Sequence, residues 1–417
     1  MRRSLVVSIT FFALAAMFTG AAVAETGNVV HVFKNSPDGD YPMAPLITDS
    51  KGNFYGTTHF GGAANEGTVF ELSSNGKGDF TYTQIYSFAF GARDAEQPDG
   101  GPLLMDGSGN LFGTTMFGGN NGGVGTVYEL SPIAGGGWSE KVIYSFQCCN
   151  EDAFYPLGGV VMDAAGNLYG ASSNGGTHGV GTVFELSPDG SGGWTESILY
   201  SFTGNRNSGP DGAEPVAGVV FDAAGNLWGT TALGGTYLNG IVFELSPGQG
   251  GAWKEKVIHA FSGDDGCNPA ARLAVDSAHN VYGTTSNQYV VTNSCIGGGT
   301  VFQLSPSSQG WTETAIHEFS GPHDGDIPNG IILDSKGNIY GTTVLGGSSL
   351  YGEIYKLTPT ASGAWTETQV HAFKGGSGAG LPLAGVIFGN DGMLYGTTSA
   401  YGGPNGKGVG TVYRNQP

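Results

Sequence analysis

Short apolar segments alternate with glycine-rich turns along the chain, and each group of four predicts four β-strands. The clearest group has its apolar segments at residues 216–222, 226–231, 240–245 and 253–261. A turn that contains Asp222 and Gly225 separates the first two, where an aspartate can cap turn amides and a glycine tolerates positive φ. We number the strands of such a unit from first to fourth in chain order.

The second and third strands carry apolar residues on both faces. Leu227 and Trp228 are neighbours in the second strand, and Val242 and Phe243 are neighbours in the third. Successive side chains of a strand point to opposite faces, so these pairs indicate a sheet that is covered on both sides. We therefore expect each sheet to pack between two others.

The motif G-N-L-W-G-T-T, which begins at Gly225, occurs in seven versions at intervals of 54 to 59 residues. The other six begin at Gly52, Gly109, Gly166, His279, Gly337 and Gly392. Four strands in a repeated unit of this size are typical of a β-propeller blade. The period is too long for one rung of a β-solenoid, and no segment has the helical period of an α-solenoid.

The two ends of the repeat predict how the ring closes. The fourth strand ends in the pattern [IV]-[YH]-x-F after six of the seven units, and the seventh version lies at residues 30–33, before the first unit. The chain stops just after a third strand, at residues 410–414. We predict an all-β, seven-bladed β-propeller over residues 25–417, in which the N-terminal segment supplies the outer strand of the last blade.

The motifs G-N-x-[YFW]-G-T-T, G-T-V-[FY]-E-L and [IV]-[YH]-x-F together resemble the GloVer (Gloeobacter/Verrucomicrobia-type) tandem repeat of exported "choice-of-anchor" bacterial proteins. The resemblance covers essentially all of the chain after its first residues. It implies export and a repeat fold, and it implies no catalytic residue.

The first 24 residues have the pattern of a secretory signal peptide. Arg2 and Arg3 precede a short apolar run, and a small-residue site ends at Ala24. We expect cleavage after Ala24 and a secreted or periplasmic protein. The last residues carry no apolar tail, so we expect no membrane anchor, and we also expect a monomer. The formal net charge of −19 disfavours nucleic acid as a partner, because an acidic surface repels phosphates.

One series of aspartates lies four residues before a proline in the loop between the fourth strand and the next first strand. Its members are Asp38, Asp94, Asp152, Asp211, Asp265 and Asp324. They either form a ring of ligands for Ca²⁺ or a polyol, or each shapes its own loop as a turn-capping residue. Their repetition in nearly every unit favours the structural role. A second series, at the turn before the second strand, we assign to structure; Asp222 is one of its members.

Arg272 breaks a rule that the other six units keep. It lies in a first strand, at a position where the others have Pro45, Pro102, Gly159, Gly218, Gly330 and Gly385. Because the first strand is innermost, we expect its side chain in the channel, surrounded by Asp211, Asp265 and Asp324. There it either binds a carboxylated sugar or another anion, or only neutralises the aspartates.

The cysteines predict one disulfide bond and leave another open. Cys267 and Cys295 lie in two loops of the fifth unit that share a face of a propeller, so we predict that they pair. Cys148 and Cys149 are adjacent, and either a vicinal bond or two free thiols fits them.

For function, the sequence favours a binding or interaction module for an extracellular glycan or a surface protein. The alternative is a carbohydrate-active hydrolase or lyase that uses carboxylates on one face. Such an enzyme needs two carboxylates in different environments and should therefore break the repeat symmetry with an acid pair at one channel mouth. The loop aspartates follow the repeat, which favours binding over catalysis.

Overall fold

The computed structural model describes residues 29–91, 94–120, 123–148, 151–204, 209–287, 295, 297–402 and 408–417. The predicted signal peptide lies outside these residues.

Seven antiparallel sheets, each built on four strands in the order first, second, third, fourth, form a seven-bladed β-propeller. The first strands are Ile47–Thr48, Leu104–Met105, Val160–Met162, Val220–Phe221, Ala274–Val275, Ile332–Leu333 and Ile387–Phe388. The second strands are Phe54–Thr58, Leu111–Gly118, Leu168–Ser172, Leu227–Thr231, Val281–Thr285, Ile339–Leu345 and Leu394–Thr398. The third strands are Thr68–Ser74, Thr126–Pro132, Thr182–Pro188, Ile241–Pro247, Thr300–Ser307, Glu353–Pro359 and Thr411–Asn415. The fourth strands are Phe80–Ser87, Trp138–Ser145, Trp194–Ser201, Trp253–Ala260, Gly310–Glu318, Trp365–Ala372 and, for the last blade, Val29–Val32.

Short strand pairs join the two sets of loops on one face, which we call the upper face. Here the loop after a fourth strand pairs with the loop or the end of the following second strand. These segments are Gly39–Asp40 with Phe60–Gly61, Ala95–Pro98 with Leu111–Gly118, Ala153–Phe154 with Asn174–Gly175, Gly212–Ala213 with Leu233–Gly234, Asp326–Pro328 with Ile339–Leu345, and Ala379–Gly380 with Ala400–Tyr401. One 3-10 turn, Gln249–Gly251, lies on the opposite face between a third and a fourth strand.

The predicted closure of the ring is confirmed. In the last sheet Val29 pairs with Tyr413, and Val32 pairs with Thr411. The backbone N–H of Phe33 then donates to the carbonyl of Gly410 at 3.0 Å. The N-terminal strand thus covers the edge of the last blade, which removes an open site for strand pairing.

The hydrophobic core lies between the blades, as the two-sided apolar pattern predicts. The phenylalanine that ends each fourth strand is at most 1 % exposed and packs edge-to-face on an aromatic ring of the next blade's third strand, at centroid distances of 4.8 to 5.2 Å. Within a blade, the ring of Phe243 crosses Gly229 so closely that a Cβ there would lie 2.4 Å from it. The glycine of the G-T-T motif therefore makes room for the ring.

The first strands are shorter than the sequence predicts. In the fourth blade the strand covers Val220–Phe221 only, whereas residues 216–222 were expected. Above it the backbones of neighbouring blades touch, because a Cβ at Gly218 would lie 2.2 Å from the carbonyl oxygen of Gly158. The backbones of neighbouring blades approach each other at the channel, so the first strand does not continue its pairing with the second strand there. Small residues such as glycine permit this approach.

A repeated seam on the upper face joins each blade to the one before it. Every repeat has a proline at the start of its seam, and the residue before this proline has φ between 53° and 61° in all seven blades. The N–H of that residue donates to a carbonyl of the preceding blade at 2.7 to 2.9 Å. These residues are Tyr41, Gln97, Tyr155, Glu214, Asn268, Ile327 and Leu381. The backbone conformation of this residue is the same in every blade, but its side chain differs from blade to blade. The seven seams therefore present different side chains at equivalent positions.

Candidate functional site

The six loop aspartates act as turn-capping residues. Each carboxylate accepts a backbone N–H from the start of its own loop, at 2.7 to 3.2 Å. The six are Asp38, Asp94, Asp152, Asp211, Asp265 and Asp324. This geometry agrees with the structural alternative, whereas a role in ligand binding stays a prediction for all six.

The same aspartates meet the tyrosine or histidine of the [IV]-[YH]-x-F pattern. Tyr200 donates its hydroxyl to Asp211 at 2.9 Å, and Nε2 of His259 lies 2.9 Å from Asp265. Burial raises the pKa of Asp265, but the hydrogen bonds from His259 and from the loop outweigh it and leave that pKa below its usual value. The two sequence patterns are therefore halves of one structural unit at the outer rim.

A glutamate series that the sequence analysis missed completes this unit. The glutamate of a Trp-x-Glu pattern near the start of the fourth strand lies beside the aspartate of the preceding loop in five blades. These residues are Glu140, Glu196, Glu255, Glu313 and Glu367. Burial, followed by the charge of Asp94, raises the pKa of Glu140 to about 8. Beside Asp152 and Glu196 the seam opens into a cleft of about 390 Å³.

Arg272 does not form the predicted ion pairs. Asp211, Asp265 and Asp324 are held at the outer rim by their own loops and strands. Within the part of the chain that the structure describes, no hydrogen bond or ion pair reaches the guanidinium, whose side chain is only partly exposed. Desolvation alone lowers the pKa of Arg272, and no neighbouring charge contributes. The aspartates therefore do not neutralise this residue.

A cluster of ionisable side chains breaks the repeat at the seam between the first two blades. Asp40 pairs with Phe60 in a short strand pair, and the N–H of the adjacent His59 donates to the carbonyl of Tyr41 at 3.1 Å. The imidazole Nδ1 of His59 lies 3.3 Å from the carbonyl oxygen of Pro98, which precedes Asp99. We call Asp40, Tyr41, His59 and Asp99 the mouth cluster, because it lies on the upper face beside the innermost strands.

The charges of the mouth cluster act on one another. Burial raises the pKa values of Asp40 and Asp99, and the nearby His59 opposes the rise in both. Burial, followed by the charges of Asp40 and Asp99, raises the pKa of Tyr41. Two carboxylates thus flank one imidazole, beside a phenol that stays protonated.

No other unit reproduces this cluster. The position of His59 is held elsewhere by Met116, Ser173, Ala232, Ser286, Val344 and Ser399. Asp99 belongs to a segment between proline and turn aspartate that is one residue longer in the second unit than in the first. The histidine and the longer segment are the two features of the sequence that distinguish this cluster, and neither was among the predicted site residues.

The closed ring places Arg272 across the channel from the mouth cluster. In a ring of seven blades, the seam between the first and second faces the fifth, to which Arg272 belongs. Open space remains on both sides, because a Cβ built at Gly330, beside Arg272 in the ring, or at Gly100, beside Asp99, would meet no atom within 4 Å. The channel mouth therefore has an acidic side and a cationic side.

The predicted disulfide bond between Cys267 and Cys295 is confirmed, with Cα atoms 5.8 Å apart. Cys148 is also disulfide-bonded, and Cys149 lies outside the described residues. Among the described residues, no group of three or more His, Cys, Asp or Glu side chains is placed to hold a metal ion, and Ca²⁺ binding stays a prediction without a site. No helix in the described ranges is long and apolar enough to cross a membrane.

The fold and its repeated seams define the class, a β-propeller built from tandem repeats. The chain belongs to the Gloeobacter/Verrucomicrobia repeat family, whose model matches residues 14–211 and 197–413. No curated protein sequence matches the chain.

Solved structures share the fold at low sequence identity. An ancestral GH74 enzyme superimposes with a TM-score of 0.56 and 12 % identity, over 93 % of this chain and 48 % of its own. A PL25 polysaccharide lyase, an ulvan lyase bound to -[GlcA(1-4)Rha3S]-, superimposes with a TM-score of 0.53 and 10 % identity, over 93 % of this chain and 95 % of its own. At such identities the likeness is one of fold.

Proposed function

We propose that this protein is an exported binding module and that it holds an extracellular glycan at the mouth of its channel. The mouth cluster carries the proposal, because one seam brings Asp40, His59 and the residue before Asp99 together, and no other unit has a histidine at the position of His59. Carboxylates and an imidazole form hydrogen bonds with hydroxyl groups, and Tyr41 adds an apolar ring with a polar tip. A sugar presents the matching surface of hydroxyl groups and apolar ring faces.

Two further observations support this proposal. The Cys267–Cys295 bond suits an oxidising compartment outside the cytoplasm. The PL25 ulvan lyase, a polysaccharide lyase that binds -[GlcA(1-4)Rha3S]-, has the same fold, so a propeller of this kind can hold a glycan. The loop aspartates shape the upper face on which the ligand would lie, and Arg272 belongs to the same proposed site.

The test is a glycan array followed by titration of the purified protein with the best ligand. Tyr41→Ala and Asp40→Asn should each weaken binding about tenfold or more, as loss of a central contact does. The chain offers matched controls in other blades: Tyr155→Ala has the same backbone φ of 59°, and Asp326→Asn occupies the position of Asp40. Equal losses in variants and controls, or binding of a surface protein and no glycan, would contradict the proposal.

A second candidate, a hydrolase or lyase, is favoured by one observation. Asp40 and Asp99 both lie near His59, a grouping of two carboxylates that the repeat does not impose and that an enzyme of this kind could use. The same polysaccharides should be incubated with the protein, and both new reducing ends and the ultraviolet absorbance of unsaturated ends should be measured. Turnover that Asp99→Asn abolishes would establish the enzyme, and binding without turnover would leave the binding module.

A further inference from the structure

We infer that the ligand of the channel mouth is an anionic glycan, whose carboxylate or sulfate group is bound by the guanidinium of Arg272. This inference rests on the proposed function and adds the chemical class of the ligand. Arg272 supplies the cation, and the mouth cluster across the channel supplies acceptors for hydroxyl groups.

The guanidinium of Arg272 has no hydrogen-bond or ion-pair partner among the described residues. Its side chain is only partly exposed, and desolvation lowers its pKa. Within the described ranges none of its five N–H donors has a hydrogen-bond acceptor, and no carboxylate forms an ion pair with it. A partly buried guanidinium whose donors have no acceptor in the described part of the chain keeps those donors available, so an external anion can bind them.

The position of Arg272 in the ring directs its side chain towards the channel. Six blades have glycine or proline where the fifth has Arg272, and the backbones of several blades touch at that level, as Gly385 does with Gly330. A long side chain there has the channel as its space, and the open region beside Gly330 lies next to it in the ring. Arg272 therefore lines the opening that the proposed glycan would enter.

The guanidinium of Arg272 makes the proposed site selective for anionic groups. A guanidinium presents paired donors in a plane, which match the two oxygens of a carboxylate or of a sulfate ester. The rest of the protein does not attract polyanions, because its formal net charge is −19. Binding of an acidic glycan therefore depends on this local cation and not on a general electrostatic attraction.

The ligand in the test is polygalacturonate, compared with its carboxyl-reduced form, which has the same linkages and no charge. A sulfated galactan is the third ligand and distinguishes sulfate from carboxylate. We expect the protein to bind one of the two anionic polymers about tenfold or more tightly than the reduced one. Arg272→Gln should remove that preference, so that the variant binds the charged and the reduced polymer equally. Lys254→Gln removes the same charge from an exposed fourth strand and should change nothing.

Arg272→Lys is a second variant, which keeps the test valid if Arg272→Gln does not fold. It keeps the charge and loses the planar pair of donors, so it should retain only part of the preference. Free galacturonate, compared with galactose in a thermal shift assay, tests the anion site without a polymer. Galacturonate should raise the Tm of the unaltered protein and not that of Arg272→Gln.

The outcomes separate this inference from the proposed function. Equal binding of charged and reduced polymers, unchanged in Arg272→Gln, overturns the anion site and leaves the glycan module standing. No polymer binding, together with an Arg272-dependent shift by galacturonate, confirms the anion site and overturns the glycan module. No response to any of these ligands overturns both.

Discussion

The ring of Pro42 packs against Gly410, so residues near the two ends of the propeller meet in one seam. A Cβ at Gly410 would lie 2.5 Å from Cδ of Pro42. The same contact joins every pair of neighbouring blades, with the corresponding distance between 2.4 and 2.7 Å at the other six seams. The seam that closes the ring therefore has the same construction as those within the chain.

Gly410→Ala should destabilise the protein more than the same change at an open turn. Gly410 has a φ of 124°, and an added methyl group would also overlap Pro42, so we expect a loss of about 2–4 kcal/mol. The control is Gly109→Ala, at a φ of 85° with no atom within 4 Å of the new Cβ, where about 1 kcal/mol is expected. Urea unfolding of both variants measures the difference, and equal losses would show that the proline contact is not tight.

Removal of the N-terminal strand should expose an edge and promote aggregation. A chain that starts after Phe33 loses the partner of Thr411–Asn415 and a phenylalanine that is fully buried. Light scattering and thermal unfolding should show a less stable, self-associating protein. The point variant Phe33→Ala should cost about 3–5 kcal/mol, whereas Phe90→Ala, at a residue 81 % exposed, should cost little. A truncated chain that stays monomeric and equally stable would contradict the role of this strand.

The disulfide of the fifth blade should stabilise the protein measurably. Cys295→Ala opens a loop whose ends are 28 residues apart in sequence, and the loss should be about 3 kcal/mol. This variant is preferred to a change at Cys267, which is fully buried and would leave a packing defect as well. The free energy of unfolding should be measured with and without a reducing agent. Reduction of this disulfide should destabilise the unaltered protein, whereas Cys295→Ala has no such bond to lose.

The fold was predictable because its determinants are local and repeat. Gly229 makes room for Phe243, its pairing partner in the adjacent strand, and each copy of the motif repeats that relation. The period and the apolar pattern are therefore enough to predict the fold. Ring closure required only the observation that residues 30–33 match the end of a fourth strand.

The candidate site was less predictable because it consists of departures from the repeat. Asp40, His59 and Asp99 are far apart in sequence, and only the seam between two blades brings them together. The surroundings predicted for Arg272 were wrong for a related reason. The loop aspartates looked close to the channel, but their hydrogen bonds with the ends of the fourth strands hold them at the rim.

The stability of the protein should fall as the pH rises from about 5 to about 8.5. Burial raises the pKa of Glu140 to about 8 and those of Glu255 and Glu313 to about 7, against a usual 4.5. Neighbouring carboxylates add to the rise in each case, and His259 opposes it at Glu313. Between these values the folded protein binds more protons than the unfolded chain, so the free energy of unfolding decreases with pH. This contribution is complete below pH 4.5 and is lost as the pH passes through 7 to 8. The buried Oε1 atoms of these glutamates have no hydrogen-bond partner among the described residues, which agrees with a carboxyl group that is easier to bury when protonated.

The measurement is Tm or urea unfolding at pH 5.5, 7.0 and 8.5. A protein with Glu140→Gln, Glu255→Gln and Glu313→Gln together should lose a large part of the decline, because the amide keeps the shape of a protonated carboxyl and cannot ionise. Burial also raises the pKa of Glu196 to about 9 and that of Glu353 to about 7, so these two should keep the rest of it. Asp264→Asn removes an exposed carboxylate from an upper-face loop and should keep the decline. The aspartates with lowered pKa values, such as Asp222 and Asp276, act in the opposite direction, but their effect lies below pH 3.8 and outside this window. A Tm that rises between pH 5.5 and 8.5, or a decline of the same size in the triple variant, would show that these three glutamates do not keep their protons in the folded protein.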